Sequence, residues 1–353
     1  MRPTAPDGAG SPLPGVLARI LEGDRLDAED AGGLLEALAS DDVPPALAGA
    51  LLAALRMRRE TGAELRGFAA ALRRLARRPD LPPGLAALDI VGTGGDGSGS
   101  LNLSTGAALL AAAAGVPVVK HGNRSVSSRC GSADVLEELG LPLPLDEQAA
   151  GRCLEACGFT FLDARHYHPA VGALGPVRRA LGVATTLNLV GPLANPAAPA
   201  FAVIGACTAA AAAAMAEALS GLPIERAFVV HGAFGWDEPT PAGPFLQFEV
   251  RPGKVERRER DPAGDGFRRC HPSDLLGGDA ADNARRLRAA LEGEPGPHRD
   301  ALVLGAALGL EVAGRAASLG DGRALAEAAI AGGAARRLLD RLAAFGREEK
   351  ARG

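Results

Sequence analysis

Aromatic residues are scarce in this chain of 353 residues, which is 3% aromatic and has a single Trp and a single Tyr. Proteins that bind single-stranded nucleic acid stack bases on aromatic side chains, so the shortage argues against a nucleic-acid platform. A formal net charge of -4 argues in the same direction. The 47% hydrophobic content comes instead largely from Ala, Leu and Val, which suits helices packed tightly against a sheet.

Long apolar runs and paired cysteines are also missing. No window reaches the roughly 18 uninterrupted apolar residues of a membrane span, and the Pro- and Gly-rich segment Met1–Pro14 lacks the apolar core of a signal peptide. The cysteines are scattered without the spacing of a zinc site or a disulfide framework. They are Cys130, Cys153, Cys157, Cys207 and Cys270. We therefore expect a cytoplasmic protein with reduced cysteines and no membrane partner.

The first part of the chain has a helical pattern throughout. It extends over residues 11–78 and includes a capping box at Thr61–Glu64, in which two side chains satisfy the free amides at a helix start. Short helices with short connections predict a small all-helical domain over residues 11–80. Part of 170–197, where Val171–Leu181 has a helical pattern, is expected to complete it.

The remaining sequence alternates apolar runs with helical segments. This alternation is typical of a mostly parallel sheet flanked by helices, so residues 85–169 and 198–345 are expected to form a large α/β domain. The predicted buried strands are Leu88–Val91, Val116–Val119, Phe159–Leu162, Phe201–Gly205 and Ala227–Val230. An antiparallel hairpin is expected between Phe245 and Arg257, with its turn at Arg251-Pro252-Gly253.

A glycine-rich loop, Gly92–Gly97, follows the first predicted strand. Glycines let consecutive backbone amides turn inward, and Asn102, Ser104 and Thr105 then stand at the start of a predicted helix. Amides and hydroxyls at a helix N-terminus bind phosphate, so this segment predicts an anion cradle. The alternative is that Ser104 and Thr105 only cap the helix.

The glycine loop also matches the G-x-G-x-x-G pattern of dinucleotide-binding folds. In those folds the helix starts within the motif, whereas Ser98-Gly99-Ser100 continues the loop here. The next strand ends in Lys120 rather than in an acid that would bind a ribose hydroxyl. A Walker loop is excluded because no Gly-Lys-Ser/Thr follows.

Acidic residues are absent between Gly97 and Ala133, although the chain as a whole is acidic. The end of the second predicted strand carries cations, an amide and hydroxyls that are suited to a second phosphate. These residues are Lys120, His121, Asn123, Arg124, Ser125, Ser127 and Ser128.

Two further features support a phosphorylated ligand. The adjacent acids Asp237 and Glu238 follow the strand that ends at His231-Gly232, and their hard oxygens suit Mg²⁺ on a polyphosphate. Arg178, on a predicted helix beside the expected cleft, suits the carboxylate of a second substrate. Taken singly, such acids and arginines are more often surface charges.

With these motifs assembled, the chain resembles the anthranilate phosphoribosyltransferase family over about residues 15 to 340. Six blocks in the same order carry the resemblance. They are Gly92-Thr93-Gly94-Gly95-Asp96, Asn102-Leu103-Ser104-Thr105-Gly106, Lys120-His121-Gly122-Asn123-Arg124-Ser125-Val126-Ser127-Ser128, Gly131-Ser132-Ala133-Asp134, Gly191-Pro192-Leu193-Ala194-Asn195-Pro196, and Asp237-Glu238 after His231-Gly232.

The resemblance implies a magnesium-dependent transfer of the phosphoribosyl group from phosphoribosyl pyrophosphate to anthranilate, in tryptophan biosynthesis. It also implies a homodimer formed through the small domains. The residues that it assigns to phosphoribosyl pyrophosphate are Gly92, Gly95, Asp96, Ser100, Asn102, Ser104, Thr105, Lys120 and Ser132. Those that it assigns to anthranilate are Gly92, His121, Asn123 and Arg178. Magnesium is assigned to Ser104, Asp237 and Glu238, and the catalytic roles to Lys120, Asn123 and Arg178.

The chain departs from the family pattern around the acceptor side. Val171-Gly172 replaces the usual Met-Lys, Ala184 replaces Arg, Leu187 replaces Phe, and Trp236 replaces Leu. A related enzyme with another aromatic acceptor therefore stays an alternative. Two others are a pyrimidine nucleoside phosphorylase and a non-catalytic relative that binds nucleic acid.

Overall fold

The computed structural model describes residues 13–40, 42–124 and 129–352. Its first four helices form a bundle: α1 Leu13–Leu21, α2 Ala28–Leu38, α3 Pro45–Arg58 and α4 Gly62–Leu75. The capping box that the sequence predicts is present, because the Glu64 amide donates to Thr61 Oγ1 and the Thr61 amide donates to the Glu64 carboxylate. The buried Leu, Ala and Phe side chains of these helices form one core.

Seven strands form one sheet. They are β1 Leu88–Gly92, β2 Val118–Gly122, β3 Phe159–Asp163, β4 Phe201–Gly205, β5 Arg226–His231, β6 Phe245–Arg251 and β7 Lys254–Arg260. The order across the sheet is β3-β2-β1-β4-β5-β6-β7. The first five strands in this order are parallel, and β6 and β7 form the predicted antiparallel hairpin. The fold class predicted from the sequence, α/β with a small all-helical domain, is confirmed.

Eleven further helices occupy the described part of the chain. They are α5 Leu103–Ala113, α6 Ser132–Glu138, α7 Glu147–Cys157, α8 Ala164–Tyr167, α9 Leu174–Leu181, α10 Thr186–Val190, α11 Ala209–Ser220, α12 Ala280–Leu291, α13 Pro297–Val312, α14 Leu319–Ala331 and α15 Ala334–Arg352. None of the described helices is long and apolar enough to cross a bilayer.

Both faces of the sheet are covered, as the alternation of side chains along β4 illustrates. Val203 belongs to the core that α5 and α13 form on one face, whereas Ala202 and Ile204 belong to the core that α11 forms on the other. The second core is continuous with that of the helical bundle, because α11 packs against both the sheet and α4. The bundle therefore lies against one face of the sheet.

Two local predictions were wrong. Strand β2 begins at Val118 rather than Val116, because the Val116 amide donates to Ala111 at the end of α5 and is not part of the ladder. The helix predicted over Val171–Leu181 begins at Leu174, after a 3-10 turn at Pro169–Val171. Residues 191–193 form another 3-10 turn.

Helices α9 and α10 pack against the first bundle. Helix α9 contacts α3, and α10 contacts α3 and α4. We propose that they complete the small domain, whose boundaries at 11–80 and within 170–197 stay a prediction. Residues 11 and 12 lie outside the described part of the chain.

Candidate active site

Predicted site residues on the glycine loop after β1, on β2 and in the loop after β5 lie at or near the carboxyl ends of the parallel strands, the usual place for ligands in an open α/β sheet. The glycine loop leaves β1 at Gly92. Positive φ angles of 65° at Gly94 and 75° at Gly95 lie in the left-handed region, which glycine adopts without strain. The loop backbone is therefore free to face a ligand closely.

Asp237 connects the loop after β5 to the glycine loop. Its Oδ2 accepts a hydrogen bond of 2.6 Å from the Gly94 amide, and its own amide donates to Asp96 Oδ2 at 3.3 Å. A Cβ at Gly92 would collide with the Asp237 carboxylate, and one at Gly205 would collide with the Asp237 carbonyl. Both glycines are required because the backbones approach so closely.

Glu238, in the loop after β5, contacts the start of α5. Its Oε1 accepts a hydrogen bond of 2.9 Å from the Ser104 amide, and Ser100 Oγ donates to its Oε2 at 3.4 Å. The sequence predicts that the amides at this helix start bind a phosphate, and in this structure one of them binds the Glu238 carboxylate. The site is thus able to hold an oxyanion at this position.

The two carboxyl groups are unusually hard to ionise. Burial, with the nearby Asp96 carboxyl, raises the pKa of Asp237 to about 7. Burial and Asp237 together raise the pKa of Glu238 to about 8. Two acids that repel each other in this way favour a cation between or beside them.

Lys120 lies in the middle of β2 and is 1% exposed. Its Nζ donates to the Ile90 carbonyl and, at 3.3 Å, to Ser104 Oγ. Burial lowers the pKa of Lys120, and the carboxylates of Asp89 and Glu238 oppose that change. The ammonium group is therefore held beside the helix start where Glu238 binds.

Sequence reasoning missed a buried polar network beneath Lys120. Asp89, 1% exposed, accepts from the His121 amide at 3.3 Å and from Asn195 Nδ2 at 2.8 Å. Asn195 Nδ2 also donates to the Val119 carbonyl at 2.9 Å. Burial raises the pKa of Asp89 to about 6, and Lys120 opposes this. The available signal was an acid inside the apolar strand Leu88–Val91.

Two predicted phosphate ligands, Asn102 and Thr105, have side chains whose surroundings differ. Asn102 Nδ2 donates to the Cys130 carbonyl at 3.2 Å, and Asn102 Oδ1 accepts from Asn283 Nδ2 at 2.9 Å. Thr105 is 1% exposed and its hydroxyl is buried with no partner in the described part of the chain. The Asn102 side chain is therefore not directed at Lys120 or Glu238.

The second loop is described up to Arg124. The Asn123 carbonyl accepts from Ser132 Oγ at 3.2 Å, which places two predicted ligands together. Arg124, interpreted from the sequence as a cation for phosphate, pairs with Asp134 and Glu137 on α6 instead. Ser125, Ser127 and Ser128 lie outside the described residues.

Two predicted acceptor residues, His121 and Arg178, contact the segment around α10. The buried His121 ring has its Nδ1 3.2 Å from the Gly191 carbonyl, and burial lowers the pKa of His121 well below 6.5. Arg178 Nη2 donates to Asn188 Oδ1 at 3.3 Å. Among the described residues, no hydrogen bond or ion pair connects Arg178 with His121 directly, but both contact the segment that contains α10.

Ser104, Asp237 and Glu238 line one pocket, with Val203 and Val230 among its apolar walls. Hard oxygens of this kind fit Mg²⁺, which is commonly held by one or two carboxylates together with substrate phosphates. Within the described ranges no group of three His, Cys, Asp or Glu side chains is placed to hold a metal ion. The donor set is therefore one that phosphate oxygens would complete.

The chain is similar to known proteins along most of its length. The helical bundle domain of a glycosyl transferase family matches residues 14–76, and the a/b domain of a glycosyl transferase family matches residues 85–336. The anthranilate phosphoribosyltransferase of Desulforudis audaxviator is 45% identical over 330 residues, 94% of this chain and 95% of that protein.

Two solved structures are similar along nearly their whole length. The anthranilate phosphoribosyltransferase of Thermus thermophilus superposes with a TM-score of 0.87 at 44% identity, covering 94% of this chain and 99% of that one. The Saccharomyces cerevisiae enzyme, solved in complex with PRPP and Mg, gives 0.86 at 25% identity, with 95% and 98% covered. The resemblance that the sequence motifs carry is confirmed, and the chain belongs to the anthranilate phosphoribosyltransferase family.

Proposed function

We propose that this protein transfers the phosphoribosyl group of phosphoribosyl pyrophosphate to the amine of anthranilate, a step of tryptophan biosynthesis. The products are N-(5-phosphoribosyl)anthranilate and pyrophosphate. The observation that carries the proposal is the set of hydrogen bonds that joins the glycine loop, the start of α5, Lys120 and the Asp237-Glu238 pair, with Ser104, Asp237 and Glu238 lining one pocket. This arrangement suits a ligand that bears several phosphate groups.

The donor is bound between the glycine loop and the end of β2. Backbone amides of the loop and of the start of α5 donate to phosphate oxygens, and Lys120 supplies a fixed positive charge. Gly92, Gly95, Asp96, Ser100, Asn102, Ser104, Thr105, Lys120 and Ser132 are the proposed donor-binding residues. Since the Asn102 side chain is hydrogen-bonded to Cys130 and Asn283, we expect Asn102 to contribute through its backbone.

We further propose that Ser104, Asp237 and Glu238 hold Mg²⁺. The raised pKa values of the two acids support this, because a divalent cation would relieve their mutual repulsion. Mg²⁺ bound there would offset charge on the leaving pyrophosphate. The yeast relative was solved in complex with both PRPP and Mg, which supports a magnesium site in this chain.

The acceptor lies next to Gly92, His121, Asn123 and Arg178. The guanidinium of Arg178 binds the anthranilate carboxylate, and Asn123 orients the ring for attack. The amine nitrogen forms a bond to the anomeric carbon while the bond from that carbon to the pyrophosphate oxygen breaks. The electron pair of that bond leaves with pyrophosphate, and the amine proton passes to solvent.

The chain needs no general base for this reaction, because an aromatic amine is already neutral at pH 7. Catalysis then rests on positioning and on stabilising the departing charge, where Lys120 acts. The buried, neutral His121 ring is suited to contact with the acceptor rather than to charge stabilisation.

A fluorescence assay tests the proposal, because anthranilate is fluorescent and its signal is lost as it is consumed. The purified protein should consume anthranilate only when phosphoribosyl pyrophosphate and Mg²⁺ are both present. If anthranilate persists while another aromatic amine is consumed, the proposed acceptor is wrong but the proposed donor, phosphoribosyl pyrophosphate, is retained. If no amine is consumed, the proposed function fails.

We also propose a cytoplasmic homodimer formed through the small domains. The exposed apolar side chains of Leu21 on α1 and Met57 on α3, 70% and 86% exposed, support an interface there. The cysteines, which form no disulfide, fit a reducing compartment. Light scattering on the purified protein should give twice the chain mass of 35.7 kDa.

A further inference from the structure

Arg178 is a half-buried cation that no described carboxylate neutralises. It lies on α9, and burial lowers the pKa of Arg178 without any opposing contribution from a described acid. Withdrawing a guanidinium from water without an anion is unfavourable, so this group favours a carboxylate brought by a ligand. Arg226, another partly buried arginine, does have such a partner, since it pairs with Glu249 at 2.8 Å.

The side chain that fixes Arg178 is a neutral amide. Asn188 Oδ1 accepts from Arg178 Nη2 at 3.3 Å and from the Thr185 amide at 3.0 Å. One oxygen thus both satisfies a free amide at the start of α10 and orients the guanidinium. Because this oxygen belongs to an uncharged amide, it leaves the positive charge of Arg178 free to pair with an anionic ligand.

The short helix that carries Asn188 is firmly anchored. Leu187 and Val190 are buried, and Thr186 Oγ1 donates at 2.7 Å to the buried Glu60 in the turn between α3 and α4. At its other end the Gly191 carbonyl lies 3.2 Å from His121 Nδ1. Helix α10 therefore fixes the relative placement of Arg178 and His121, two of the proposed acceptor residues.

From this geometry we propose that Asn188 is a specificity-determining positioning residue. It aims Arg178 at the carboxylate of the aromatic acceptor and, being neutral, keeps the enzyme selective for acceptors that carry an anion. The proposal rests on the proposed function and assigns a role that neither the sequence motifs nor the chemistry of the donor site requires. An Asp at this position would still accept both hydrogen bonds, but its carboxylate would form an ion pair with Arg178 and so compete with the carboxylate of the acceptor.

The test compares Asn188→Asp and Asn188→Ala with the wild type. Asp keeps an acceptor for the Thr185 amide, so urea denaturation should rank wild type and Asn188→Asp above Asn188→Ala in stability. The anthranilate KM should rank differently, lowest for wild type, higher for Asn188→Ala and highest for Asn188→Asp. The rise for Asn188→Asp should be about 10- to 100-fold, the range of one charge-assisted hydrogen bond. The KM for phosphoribosyl pyrophosphate should change by less than about twofold.

A neutral acceptor analogue separates charge from shape. The inhibition constant of 2-aminobenzamide, which has a carboxamide in place of the carboxylate, should be similar in wild type and Asn188→Asp. Should Asn188→Asp fail to fold, the Asn188→Ala variant alone must still raise the anthranilate KM and spare that of the donor.

Three results are distinguishable. If the anthranilate KM follows stability, with Asn188→Asp close to wild type, Asn188 is merely structural and the inference is wrong while the proposed function stands. If Arg178→Ala also leaves the anthranilate KM unchanged, the acceptor assignment of Arg178 fails as well. If the wild type does not consume anthranilate, both the proposed function and this inference are overturned.

Discussion

Replacing Asp237 with Asn is predicted to flatten the pH dependence of stability in the ligand-free protein. Burial and Asp96 raise the pKa of Asp237 from an ordinary 3.8 to about 7. Between these two values the folded state keeps a proton that the unfolded chain releases. The free energy of unfolding therefore falls as pH rises, by about 1.4 kcal/mol per unit.

From pH 5 to pH 7 this single group contributes a loss of about 3 kcal/mol, and above pH 7 its contribution is constant. The Asp237→Asn variant lacks that loss. It also lowers the raised pKa of Glu238, because the Asp237 charge is one of its causes. The free energy of unfolding of the variant minus that of wild type should therefore be about 3 kcal/mol larger at pH 8 than at pH 5. The lowered pKa of Glu238 in the variant adds to this difference.

Urea denaturation at pH 5 and pH 8, in the presence of a chelator, measures this difference. An Asp340→Asn variant on the exposed face of α15 serves as the control, and its curve should follow wild type at both pH values. Wild-type and Asp237→Asn stabilities that change in parallel with pH would refute the reasoning. That result would mean that folding does not raise the pKa of Asp237.

Three other substitutions test separate parts of the account. Gly92→Ala should lower kcat/KM for phosphoribosyl pyrophosphate by about 100-fold, because the added Cβ collides with the Asp237 carboxylate, whereas Gly15→Ala, with open space around it, should leave steady-state kinetics unchanged. Lys120→Met should lower kcat by at least about 100-fold while calorimetry still detects anthranilate binding, and a kcat near wild type would remove this residue from the mechanism. Thr61→Ala should cost about 1 kcal/mol in urea denaturation through loss of the capping box, with both KM values retained.

Much of the fold could be predicted from local patterns. Apolar runs marked the parallel strands, and Pro252-Gly253 marked the hairpin turn because the turn geometry needs a positive φ at Gly253. The start of strand β2 was predicted two residues too early, at Val116. An apolar residue such as Val116 is equally compatible with the end of a helix and with the start of a strand. Burial patterns alone do not distinguish these cases.

The sequence indicated which residues belong to the candidate site, but not which of them contact one another. Asp237 and Glu238 were found as adjacent acids, yet the contact of Glu238 with Ser104 joins residues 134 positions apart. Arg124 was interpreted as a phosphate ligand because the sequence around it lacks acids, whereas Glu137 reaches it from the next helix. Such partners depend on tertiary packing, which a single sequence does not encode locally.

Calorimetric titration of phosphoribosyl pyrophosphate tests the central claim most directly, because that claim is a shared donor site built by the glycine loop, Lys120 and two acids. Wild type should bind the donor saturably with Mg²⁺ and only weakly without it. The Asp237→Asn/Glu238→Gln double variant, if folded, should gain no affinity when Mg²⁺ is added. Equal, magnesium-enhanced binding by the double variant would contradict the account.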